Sequence, residues 1–177
     1  MNLTRSREEI IDKADELAAA HEKTYGGCAE STFLAIVDAL RWGGFEIIDE
    51  NVEDTLFPGI QLLSAGVAIS GQGTCGAVSG SIMALGLALA AMREAGPRDM
   101  SNFMDGVELA RREVLDAFDA KYRSQRCLDI QMKRFGKAWD FRDPAMSEEF
   151  LGVTDGCAIR ETARLAVAAI CDELERP

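Results

Sequence analysis

Four of the five cysteines in this 177-residue chain, Cys28, Cys75, Cys127 and Cys157, each follow a break in the helical pattern and open a new apolar-periodic segment. Cys28 comes after Gly26-Gly27, Cys75 after Gly71-Gln72-Gly73-Thr74, Cys127 after the reset near Ser124, and Cys157 after Thr154-Asp155-Gly156. A thiol in the first turn of a helix lies at the positive end of the helix dipole, beside free backbone N–H groups. That placement favours the thiolate and makes the sulfur a better nucleophile or metal ligand. Cysteines kept only for packing have no reason to gather at capped first turns. Four such thiols aimed at one locus would repel one another unless they bind a cation or cluster, stay partly protonated, or oxidise in pairs. Cys171 differs, because it falls mid-helix on a stripe with Val167 and Leu174 and reads as an inert core thiol.

The elements that must position these thiols are helices. Ser6-Arg7-Glu8-Glu9 is a capping box opening a first helix, which stops near Gly26-Gly27. A second helix runs from Cys28 through Phe33, Ile36 and Leu40 to Gly43-Gly44. Residues 45–57 are acidic and read as a surface connection with a short extended piece at Phe45-Glu46-Ile47-Ile48. Pro58 then suits the first position of a short helix carrying Ile60, Leu63 and Val67. Thr74 is the expected N-cap of the next helix, with Cys75 its first residue. Gly76, Gly80, Ala84 and Ala88 recur on one face of that helix, where another backbone can approach closely. Its other side carries Val78, Ile82, Leu85, Leu89 and Met92, which predicts burial at the centre of the molecule. Gly96-Pro97 closes it, Asp99 or Ser101 caps a long amphipathic helix reaching Tyr122, Asp143-Pro144 opens a short one, and the final helix follows Cys157. The pattern predicts an all-α fold: one helical domain over residues 1–177, a bundle of about five main helices plus short helices and irregular loops.

Composition narrows the function. With 30 acidic against 19 basic side chains the formal charge is −11, which opposes nucleic acid and membrane surfaces as partners. No charged residue occurs from Ser64 to Met92, yet the strongly apolar part begins only near Ile82 and falls short of the roughly 20 residues a span requires. The N-terminal residues lack the apolar stretch of a signal peptide, so a cytoplasmic location with reduced thiols is expected. No two cysteines form C-x-x-C, which excludes the usual zinc-finger, thioredoxin and covalent haem signatures. The single histidine, His21, lies in the last turn of the first helix, where a structural role outweighs a catalytic one. No serine-nucleophile, paired-carboxylate or phosphate-loop constellation stands out.

The order Cys28, then Cys75-Gly76-Ala77-Val78-Ser79-Gly80, then Cys127, then Cys157 resembles the C_GCAxxG_C_C family of redox-active proteins, over most of the chain. That resemblance implies a small helical domain whose four matching cysteines form a redox or metal site. Relatives fused to haem-bearing segments, as in split-Soret cytochromes, associate a related domain with an iron–sulfur site. This chain has no haem-attachment motif, and Cys171 lies outside the pattern. The first expectation is therefore an iron–sulfur cluster or a single metal ion, Fe or Zn, bound by Cys28, Cys75, Cys127 and Cys157 for electron transfer. A thiol–disulfide oxidoreductase or redox sensor cycling Cys28 and Cys75 is the alternative. A non-catalytic helical protein that binds a partner ranks last. The sequence leaves the redox partner unnamed and a homodimer open.

Overall fold

The computed structural model describes residues 3–93 and 99–176. Among them the chain is all-α: α1 (Arg7–Tyr25), α2 (Cys28–Trp42), α3 (Glu50–Gln61), α4 (Gly76–Met92), α5 (Met100–Leu109), α6 (Asp116–Tyr122), α7 (Cys127–Phe135), α8 (Pro144–Val153) and α9 (Ile159–Leu174). A π-helical turn, Ala110–Leu115, joins α5 to α6, so the long amphipathic helix is continuous but carries a bulge that its spacing did not signal. The expected stop at Gly96-Pro97 lies outside the described residues.

Local signals near the termini act as read. Ser6 and Glu9 satisfy each other's backbone donors at the start of α1, and Gly26 ends it in the left-handed conformation. Asp99 accepts from the Ser101 N–H at 2.8 Å, and Asp143 from the Ala145 N–H at 2.9 Å.

Four expectations fail between α2 and α4. Residues 45–57 are not all loop, and Phe45–Ile48 forms no strand. Asp49 caps a full helix by accepting from the Val52 N–H at 2.9 Å, and the acidic Glu50 and Glu53 lie in its first turn, where the helix dipole favours them. Pro58 sits inside α3 rather than opening a helix. After Gln61 the chain does not continue as a helix carrying Val67. Ala65, Gly66, Val67, Ala68 and Ile69 all have φ between 49° and 75°, a left-handed turn closed by Ala68 N–H to Leu62 O at 2.7 Å and Gly71 N–H to Ala65 O at 2.9 Å.

The hub of the core is α2, which packs against α1, α4 and α9, while α1, α4 and α9 also meet in the pairs α1/α9 and α4/α9. Residues Ala29 to Val37 of α2 are all buried. The predicted centre, α4, is buried on one side only: Gly76, Gly80, Ala84 and Ala88 face in, whereas Gly86 and Ala90 are exposed. The small-residue face acts as expected. A Cβ at Gly80 would lie 2.2 Å from Ala29 O, so only glycine lets α4 approach the first turn of α2 this closely.

Candidate functional site

That close approach brings the helix starts to one end of the stack. Cys28 is the first residue of α2 and Cys127 the first of α7. Cys75 is the N-cap of α4 rather than its first helical residue, and Thr74, expected as the cap, instead pairs with Arg126 in an isolated antiparallel bridge. The bridge has neighbours: Cys75 N–H donates to Gln125 O at 2.7 Å, Cys127 N–H to Gly73 O at 3.0 Å, and Leu128 N–H to Gly71 O at 3.0 Å. These bonds tie the segment entering α4 to the segment entering α7, with Cys75 opposite Gln125 and Cys127 opposite Gly73. Cys157 lies two residues ahead of α9 in a left-handed conformation with φ 35°, and Thr154 is the C-cap of α8.

All four thiols line one cavity of about 470 Å³, and none is in a disulfide. Cys75 and Cys127 are buried, Cys28 and Cys157 partly so. Cys171 stays in the apolar core on α9, and His21 bonds to Asp38 at 2.9 Å away from the cavity; both stand where the sequence put them.

Two of the sulfurs, Cys28 and Cys127, accept hydrogen bonds from the cavity wall. Ala65 N–H, from the left-handed turn, reaches Cys28 Sγ at 3.4 Å, and the Gly76 N–H and Ser64 hydroxyl also approach it. Gln131 Nε2 donates to Cys127 Sγ at 3.2 Å. The backbone N–H groups of Ala77 and Ala158 slightly offset the effect of burial at Cys75 and Cys157.

The expected fall in thiol pKa does not occur. Burial, the largest cause at every one, pushes Cys28 up, Cys75 well up, Cys127 to about 11 and Cys157 to about 12. The negative charges of Cys28, Cys157 and Cys127 add to the rise at Cys75. Desolvation outweighs the helix ends because the thiolates share a cavity without a nearby cation strong enough to offset it.

Several lining groups could not be recognised from spacing. Glu30 is buried beside Cys28, and its Oε2 accepts from Ser64 Oγ at 2.6 Å, while that same hydroxyl oxygen accepts from Ala29 N–H at 2.9 Å. Glu22, also buried, accepts from Thr154 Oγ1 at 3.0 Å, and burial pushes its carboxyl up. Gln131 is 2% exposed and spans the wall: its Oε1 accepts the Trp139 N–H at 2.8 Å while its amide serves Cys127. Position at i+4 from Cys127 on α7 was the only sequence cue to Gln131.

Among the described residues no three or more His, Cys, Asp or Glu side chains are arranged to hold a metal ion. A single Fe or Zn, with metal–sulfur bonds of about 2.3 Å, needs sulfurs crowded around one point. Four thiols around a roomy cavity are a donor set of the kind an iron–sulfur cluster would take. No helix among the described residues is long and apolar enough to cross a membrane.

A family described as "Putative redox-active protein (C_GCAxxG_C_C)" matches residues 26–168, a span that contains all four cavity cysteines and excludes Cys171. Comparisons with curated proteins and with solved structures gave no match.

Proposed function

The chain belongs to the C_GCAxxG_C_C family of redox-active proteins, and on that premise we propose that Cys28, Cys75, Cys127 and Cys157 ligate an iron–sulfur cluster used in electron transfer with a cytoplasmic redox partner. The observation that carries this reading is the shared cavity, in which buried thiols with raised pKa values stay protonated until a positively charged group takes them. When bound, a cluster supplies a one-electron couple whose potential responds to hydrogen bonds at its sulfurs and to burial. Ala65 and Gln131 provide such bonds at Cys28 and Cys127. Apolar walls limit water. The −11 charge favours a protein partner over nucleic acid or lipid.

Protein purified without oxygen, and reconstituted with iron and sulfide, is expected to be coloured and to hold iron in stoichiometric amount. Serine at any one of the four positions should cut iron content sharply, while Cys171→Ser leaves it unchanged. A colourless, iron-free wild type after reconstitution overturns the proposal.

One contact favours the dithiol alternative at Cys28 and Cys75. A Cβ built on Gly76 would lie 2.4 Å from Cys28 Sγ, so that sulfur rests against the residue next to Cys75. Both thiols are protonated at neutral pH, which slows attack on a disulfide. Reversible loss of one thiol pair on mild oxidation, with iron near zero, would select this reading over the cluster.

A further inference from the structure

Helix α5 is under-packed for its composition. Leu109 alone of its ten residues is buried, whereas Met100, Phe103, Met104 and Val107 are 69%, 61%, 54% and 36% exposed. Their spacing, i, i+3, i+4 and i+7, puts all four on one face, so the stripe that a helix normally turns to the core points outward here. A helix this short has little stability of its own in water. Single apolar side chains on a surface are ordinary, but a contiguous stripe of four marks a contact face.

Charge at the two ends of the stripe says what covers it. Asp99, the N-cap, is exposed, and its bonds to Ser101 hold its carboxyl below the usual carboxylate range, so it carries a negative charge. Arg111 follows Val107 by four residues, extends the same face and is exposed. Among the described residues Arg93 pairs with Asp105 at 2.9 Å and Arg112 with Glu113 at 2.6 Å, but no acid pairs with Arg111 and no cation with Asp99. The face is therefore acidic at one end, apolar in the middle and basic at the other, over roughly 18 Å. Such a face is complementary to itself turned end for end, which is the requirement of a two-fold interface.

We propose that α5 is the contact face of a homodimer in which the α5 helices of two copies pack antiparallel, Phe103 against the partner's Val107 and Arg111 against the partner's Asp99. Pairing about the helix midpoint gives this register and forms each contact twice. A parallel pairing would set Asp99 on Asp99 and Arg111 on Arg111. The interface is α5 on α5, and the outer face of α4 stays open. The −11 charge opposes an anionic lipid surface as the cover. One helix face covers less than the roughly 800 Å² per partner of a standard interface, so the dimer is weak, with a Kd on the order of 10–100 μM. None of this depends on what the cysteine cavity binds.

Sedimentation velocity on the full chain, under reductant so that no disulfide links the copies, is the test. At about 0.15 M salt the repulsion between distant charges is screened while close pairs persist. Raising the concentration from about 5 to about 500 μM should carry the wild type from monomer to dimer. Phe103→Glu should weaken the dimer at least about tenfold, and Met100→Glu, at a still more exposed position, should weaken it in the same direction. Arg111→Glu, which breaks both end contacts at once, should weaken it by about tenfold, and Arg111→Lys should retain it. Circular dichroism checks that each variant is folded. A wild type that stays monomeric throughout, or a dimer indifferent to both Phe103→Glu and Met100→Glu, overturns the proposal. So does a dimer that Arg111→Glu leaves as tight as before, because the antiparallel register rests on that charge.

Discussion

The two ends of the helical stack solve different problems. Along the body, where α1, α2, α4 and α9 meet, Ala35, Ala39, Ala84, Ala88, Ala163 and Ala166 let backbones pack closely, and Cys171 is one more small core side chain. At the cavity end the backbone leaves regular geometry. Of the described non-glycine residues with positive φ, Ala65, Val67, Ala68, Ile69 and Cys157 all lie at or beside the cavity, and only Arg123 lies elsewhere as the C-cap of α6. Left-handed geometry costs a residue with a Cβ roughly 1–2 kcal/mol. Strain of this kind persists only where surrounding structure enforces it, and here it aims the Ala65 N–H at Cys28 Sγ. The difference teaches where stability has been exchanged for a prepared thiol site.

The sharpest way to break the comparison is alkaline pH, where the effect should be largest. Cys127 and Cys157 hold their protons to about 11 and about 12 in the folded chain, against an ordinary 9.0, and Cys28 and Cys75 are shifted in the same direction. Folded values above unfolded ones mean that stability is complete below about pH 9 and falls as pH rises through 11 to 12. Protein stripped of metal should therefore lose its cooperative thermal transition across that window. Serine at all four cavity positions should flatten the decline, leaving the smaller share from Cys171, itself raised to about 11. A decline unchanged in that variant would place the effect in the body instead.

Next in size is the contact joining the two regions. Gly80→Ala puts a methyl 2.2 Å from the Ala29 carbonyl, a backbone atom that cannot swing aside. We expect a loss of about 3 kcal/mol in denaturant unfolding, with α4 displaced from α2 and Cys75 from Cys28. This contact was legible in advance because four-residue glycine spacing is a local signal, as were the Ser6–Glu9 capping box and the helix starts at Cys28 and Cys127. The left-handed turn was not, since Ala, Val and Ile carry no propensity for it and only its tertiary bonds hold it. The acidic run before Pro58 was misread because Glu50 and Glu53 suit a loop and a helix N-terminus equally, and the cap at Asp49 decides between them. The thiol pKa values were misjudged for a related reason: helix position is written in the sequence, but desolvation comes from neighbours distant along the chain.

Gln131 tests how far the cavity wall depends on polar bonds made only after folding. Gln131→Leu keeps the volume but removes the donor to Cys127 Sγ and strands the buried Trp139 N–H. A destabilisation of about 2 kcal/mol is expected, from one buried donor left unpaired and one sulfur bond lost. Gln131→Glu should restore the Trp139 bond yet not the donor to sulfur. Gln131→Glu should cost more than Gln131→Leu because it also buries a carboxyl beside the Cys127 sulfur, and a smaller loss would show that the Trp139 bond dominates.

The smallest effect carries the opposite sign. Gly86 lies on the same helix as Gly80, six residues further on, but it is exposed, and a Cβ there would meet nothing within 4 Å. Its φ is not left-handed, so a side chain adds no strain. Gly86→Ala should then stabilise the protein by about 0.4–1 kcal/mol, chiefly by restricting the unfolded chain. Thermal unfolding should rise by about 1–3 °C. The prediction is small but demanding, because it separates a glycine kept for close approach from one that merely interrupts a helix. A loss comparable to that of Gly80→Ala would mean that the outer face of α4 is covered by something in solution, and the contrast between a closed inner face and an open outer one would fail.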